Sequence, residues 1–120
     1  MKRNRIKTAV ASAAPPVNVD FVLDKTNTRE FFDIVMSAED VIKGKPDPEI
    51  YLKTAQNLAC TPRSCVVFED SFPGLIAAKN AGMTVIALTT TYLPDELKEA
   101  DYIINDFTEV DLKRTGLDFL

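Results

Sequence analysis

The chain has 120 residues, of which 46% are apolar and 27% charged, and no apolar run approaches the roughly 18 residues that a membrane span needs. That excludes a collagen, a disordered tail and a helical membrane protein, and it predicts a single domain over 1–120, since a chain of this length buries roughly two-thirds of its unfolded surface. The net charge of −4 conceals an asymmetry: Lys2, Arg3, Arg5 and Lys7 precede Thr8, leaving ten basic against 18 acidic residues in the rest, so no nucleic-acid surface is expected.

The basic start, followed by the short run Ile6 to Val10, is too polar for a signal peptide and reads as a solvated chain end. Short β-rich runs then alternate with amphipathic stretches, which predicts a parallel α/β sheet flanked by helices. Strands are expected over 6–12, 33–37, 65–69, 84–89 and 102–104. A first helix follows Pro15-Pro16, with Val19, Val22, Leu23 and Thr26 on one face. A second takes Asp47 as its cap and Pro48 as its first residue, with Tyr51, Ala55 and Leu58 on one side. Ser71 caps a third, which turns Phe72, Leu75 and Ile76 to the core and stops at Gly82. A short helix runs from Pro94 to about Glu99, and the tail after Asp111 has no clear period.

The sequence has no histidine, which removes imidazole bases and His-ligated zinc from consideration. Cys60 and Cys65 form no Cys-x-x-Cys and are too few for a zinc site or a disulfide scaffold, so they are expected as buried, reduced thiols in a cytoplasmic protein. Carboxylates, hydroxyls and lysines remain. In open parallel sheets ligands bind beyond the carboxyl ends of the strands. Ser12 ends the first strand, Lys45 lies in a Gly-Lys-Pro turn, and Glu69 and Asp70 end the third strand before the Ser71 cap. Adjacent carboxylates there suit Mg2+, which takes one or two protein oxygens and keeps waters and phosphate. Lys45 suits a phosphate as a point charge, and Ser12 as a hydroxyl donor. Each residue alone reads more often as a capping, turn or solvated loop residue; their combination is what carries information.

Three segments, 10–16 (VASAAPP), 44–51 (GKPDPEIY) and 66–83 (VVFEDSFPGLIAAKNAGM), resemble successive motifs of the haloacid dehalogenase superfamily, in its beta-phosphoglucomutase and phosphatase-like branch. The resemblance implies a Rossmann-like parallel sheet and Mg2+-dependent transfer of a phosphoryl group from a phosphorylated small molecule through an aspartyl phosphate. By resemblance, Ser12 hydrogen-bonds the phosphoryl group, Lys45 neutralises charge on nucleophile and phosphate, Asp70 binds Mg2+ directly, and Glu69 assists directly or through water. The loop after Ser12 departs from its relatives, with Ala13 and Ala14 offering only backbone donors.

The larger departure is that the sequence contains no Asp-x-Asp, the superfamily's nucleophile motif, so the chain resembles the second half of a member, lacking the central nucleophile strand and the cap. Weak or absent Mg2+ binding and negligible turnover in isolation are the expectations. Removing a central strand would leave a gap of roughly 9–10 Å between the first and third strands. It is expected to close either by direct pairing of 6–12 with 65–69 or by a segment from a second copy, making a homo-oligomer. Unpaired central strands also invite strand addition by other partners, which keeps a non-catalytic, oligomerising or partner-binding fragment as the alternative function.

Overall fold

The computed structural model describes residues 6–90 and 92–106. In chain order the elements are β1 (Ala9–Ala11), α1 (Pro16–Thr26), β2 (Ile34–Met36), α2 (Glu49–Asn57), β3 (Val66–Glu69), α3 (Phe72–Asn80), β4 (Thr84–Leu88) and β5 (Tyr102–Ile104), with single 3-10 turns at Arg29–Phe31, Ala38–Asp40, Pro62–Ser64 and Pro94–Leu97. All five expected strands are present, the first four trimmed at one or both ends and the fifth with the expected bounds. The basic segment before Ile6 and the tail after Asp111 lie outside the described residues.

The strands form two small parallel sheets, β1-β2 and β3-β4-β5. The expected direct pairing of the first strand with the third does not occur: the two sheets are separate, and what joins β1 to β3 at their carboxyl ends is a lysine side chain, described below. One apolar core spans both sheets. Ile50, Tyr51 and Ala55 of α2 pack in it with Leu75, Ala77 and Ala78 of α3 and with Met36, Val85 and Ala87 of the strands. Ile86, Leu88 and Ile104 form a second cluster. Val85 and Ala87 alternate with Ile86 and Leu88 along β4, so this strand is buried on both faces, as its unbroken Val-Ile-Ala-Leu run requires of a central parallel strand.

The helix termini follow the side chains. Ser71 caps α3 by accepting from the Gly74 amide at 3.2 Å, and Gly82 stands just beyond the helix at φ 83°. Asp47 caps α2 one residue away from expectation: Pro48 is the cap position, Glu49 is the first helical residue, and Asp47 Oδ1 accepts from the Glu49 amide at 3.0 Å. Three expectations of burial need correction. In α1 only Val19 and Leu23 are buried, while Val22 is 55% exposed and Thr26 returns its hydroxyl to the Val22 carbonyl. Phe72 is 44% exposed, standing on the first turn of α3 just beyond the carboxyl end of β3, where it is only partly covered. Cys60 and Cys65 are free thiols as expected but only half-buried, each donating to a nearby carbonyl.

Ala59, just after α2, holds φ 58°, a left-handed conformation that costs an L-residue with a Cβ roughly 1–2 kcal/mol. Glycine adopts it freely but loses more chain entropy on folding. Ala59→Gly is therefore expected to stabilise the chain by about 0.5–1 kcal/mol, read as a higher urea midpoint at unchanged slope; a lower midpoint contradicts the strain assigned here.

Candidate active site

The site is built around the carboxylate of Glu69, the last residue of β3, which is buried (8% exposed). A buried carboxylate must have its oxygens hydrogen-bonded. Oε2 accepts from Lys45 Nζ at 2.8 Å and from the Tyr51 hydroxyl. Oε1 accepts from the amides of Asp70 and Ser71 at 3.1 and 3.3 Å and from the Ser71 hydroxyl at 3.2 Å. Those two amides lie just before α3, so Glu69 also sits where the helix dipole favours negative charge. Burial pushes its carboxyl up, but the hydrogen bonds from Lys45 and Tyr51, the Lys45 charge and the Ser71 amide together hold it below the ordinary glutamate value.

Lys45 is brought to Glu69 from a loop that is itself fixed. The Glu49 carboxylate accepts from the amides of Ile42 and Lys43 at 2.8 and 3.0 Å and pairs with Lys53 at 3.1 Å, which holds its carboxyl down to about 2. The loop so tied delivers Lys45, whose ammonium donates to the Ala11 carbonyl at 3.1 Å as well as to Glu69. Lys45 thereby joins the carboxyl end of β1 to that of β3.

Ser12 and Lys45 line one cavity of about 230 Å3, together with Ala13, Ala38, Val41, Ile42, Gly44 and Ile50. The Ser12 amide bonds the Met36 carbonyl, and its Oγ accepts from the Ala14 amide at 3.0 Å, leaving the hydroxyl proton available. Asp70 is not among the cavity's lining residues. It is exposed, next to Glu69 in sequence, and its Oδ2 accepts from the Thr90 hydroxyl at 3.3 Å. Of the four residues expected at the site, Ser12 and Lys45 share a cavity, Lys45 and Glu69 are bonded, and Asp70 stands to one side. No group of three or more acidic or thiol side chains suited to a metal occurs among the described residues. A Mg2+ ion would meet one accessible carboxylate here, Asp70, beside a Glu69 whose two oxygens are already engaged. That fits an ion that takes one or two carboxylates and otherwise keeps water.

Two participants were not expected. Tyr51 reads from the sequence only as an apolar helix position, yet a buried tyrosine needs a partner for its hydroxyl, and a carboxylate eighteen residues on supplies it. Gly74 is buried inside α3, and a Cβ there would overlap the Glu69 carboxylate. A glycine within a helix was the signal available.

Gly74→Ala must displace a carboxylate held by five donors, and is expected to cost about 1–3 kcal/mol in chemical denaturation, with Gly74→Ser no better; an unchanged midpoint would show that Glu69 can move freely. The acid limb follows from the carboxyls of Glu69 and Glu49, both lower in the folded chain than the roughly 4.3 of an unfolded glutamate. Their contribution is present above that value and is lost as pH falls from about 4.5 toward 2. Urea midpoints measured across this range are expected to drop, and to drop less steeply in Glu49→Gln.

Residues 1–82 match the family model described as haloacid dehalogenase-like hydrolase. The validoxylamine A 7'-phosphate phosphatase of Streptomyces hygroscopicus subsp. limoneus is 36% identical over 110 residues, covering 92% of this chain and 52% of that protein. Among solved structures, a HAD hydrolase of family IA, variant 3, from Entamoeba histolytica superposes with a TM-score of 0.87 at 31% identity, over 98% of this chain and 54% of that one. CbbY from Rhodobacter sphaeroides, solved in complex with phosphate, gives 0.80 at 33% identity, over 90% and 50%. The chain spans between about a third and about half the length of the curated relatives it matches first. Parallel strands, flanking helices and these matches agree, and the chain belongs to the haloacid dehalogenase-like hydrolase family.

Proposed function

We propose that this chain supplies the phosphate-holding and magnesium-holding part of a phosphatase or phosphoglucomutase-type phosphotransferase that acts on phosphorylated small molecules. The observation that carries this reading is the placement of Lys45. An ammonium has three donors. Two are spent on Ala11 and Glu69, and the third is left for an anion in the cavity that Ser12 also lines. The match to a phosphorylated carbohydrates phosphatase of Thermotoga maritima, and to the CbbY structure solved with phosphate, supports a phosphoryl oxygen as that anion.

In this reading Lys45 neutralises charge on the phosphoryl group and the Ser12 hydroxyl donates to one of its oxygens, so that the group is oriented before any bond changes. Ala13 and Ala14 add only backbone donors, and the Ala14 amide is already given to Ser12, so the loop holds phosphate through few contacts. Asp70 would hold Mg2+ with water completing its shell, and the bound ion would supply further positive charge to the phosphoryl oxygens. Glu69 acts by fixing Lys45 and the turn that bears Asp70. These groups position and stabilise, but none is an aspartate placed to attack phosphorus, and the sequence contains no Asp-x-Asp. The chain alone is therefore assigned binding without turnover.

Titration with inorganic phosphate in the presence of Mg2+ tests the reading. Binding in the millimolar range that falls at least tenfold in Lys45→Ala, with the magnesium dependence reduced in Asp70→Asn, is the expected result. No binding by the unaltered chain overturns the phosphate reading. Rapid Mg2+-dependent hydrolysis of an aryl phosphate that Asp70→Asn abolishes would overturn the assignment of binding without turnover.

A further inference from the structure

Tyr51 has no part in the reading above, yet it touches both members of the central ion pair. It is buried (5% exposed) on α2. The Lys45 ammonium lies over its ring, 5.1 Å from the centre, within the range of a cation–π attraction. Its hydroxyl donates to Glu69 Oε2, the same oxygen that accepts from Lys45. The three side chains close a triangle, each touching the other two.

We propose that Tyr51 is the positioning residue for Lys45, holding the ammonium against its ring and anchoring Glu69 Oε2 with its hydroxyl so that one lysine donor stays turned to the cavity. The proposal rests on the phosphate reading for what that donor binds. A lysine is a compact charge on a flexible stem with three rotatable donors, so its direction has to come from its surroundings. Glu69 Oε2 is held from two sides, by the Lys45 ammonium and by the Tyr51 hydroxyl, while Oε1 is held by the Asp70 and Ser71 amides and the Ser71 hydroxyl. One ammonium nitrogen can aim only one of its N–H groups at a given oxygen, so with Oε2 fixed and the Ala11 carbonyl taking a second donor, the direction of the third is set. Removing the hydroxyl releases Oε2 on one side, and the ammonium it anchors can then swing and lose that direction. Burial, followed by the Glu69 charge and hydrogen bond, keeps the Tyr51 hydroxyl protonated well above the usual tyrosine range, so it remains a donor wherever the chain is folded.

Tyr51→Phe keeps the ring and deletes the hydroxyl. The chain, labelled with 15N in lysine, is compared with this variant by following proton exchange at the Lys45 ammonium and its response to inorganic phosphate, with thermal unfolding as a control. The expected result is that the variant exchanges the ammonium protons at least tenfold faster and binds phosphate about five- to tenfold more weakly, on the scale of one hydrogen bond to a charged group. Unchanged exchange and unchanged affinity in a folded variant overturn the proposal, even where the melting temperature falls, because that result makes Tyr51 a core residue only. A failure of the phosphate reading shows separately, as an unaltered chain whose Lys45 signal ignores phosphate, and the positioning role is then decided by the exchange rates alone. Where Tyr51→Phe does not fold, the unaltered chain decides: the Tyr51 hydroxyl proton must appear in slow exchange with a nuclear Overhauser contact to the Glu69 side chain, and its absence overturns the proposal.

Discussion

The structure depends on a buried negative charge at the end of β3. Glu69 cannot sit unpaired among apolar residues, because an uncompensated buried charge costs several kcal/mol. Every nearby element therefore contributes something to it: Lys45 from the loop before α2, Tyr51 from α2, and the Ser71 hydroxyl and two amides from the entry to α3. Gly74 contributes by having no side chain. The carboxylate thereby ties three segments of the chain to one point.

The same charge makes the link between the two sheets. The backbones of β1 and β3 are not paired, and Lys45 reaches the Ala11 carbonyl on one and the Glu69 carboxylate on the other. This is a weaker bond than a strand ladder, but it is a chemically useful one, since it places a cation with a donor to spare at the carboxyl ends of two strands. Below it, the continuous core shared by α2, α3 and the strands holds the sheets together. Structural support and candidate chemistry thus meet in one lysine, whose loop is in turn clasped by the Glu49 carboxylate.

Much of this was legible from residue patterns. The five strands and three long helices follow from apolar runs broken by capping residues, and Ser71 and Gly82 mark the ends of α3 because their preferences are local. Ser12, Lys45, Glu69 and Asp70 stand out as candidates in the sequence because each lies at the carboxyl end of a strand or at the entry to a helix. Less legible was which apolar positions would be covered. Val22 and Phe72 satisfy a helical stripe as well as Val19 and Leu75 do, but coverage depends on what packs opposite, and helical spacing carries no information about that.

The sequence by itself determined the alternation of elements, the absence of imidazole chemistry and the absence of an Asp-x-Asp, because these depend on residue types and near neighbours. Only the tertiary structure decided what the site residues do to one another. It separated the adjacent carboxylates, engaging Glu69 on both oxygens and leaving Asp70 exposed, and it turned Tyr51 from a core position into the partner of a charged pair. The reason is physical: which oxygen is buried, and which donor can reach it, depends on distances between segments far apart in the chain, and only packing sets those distances.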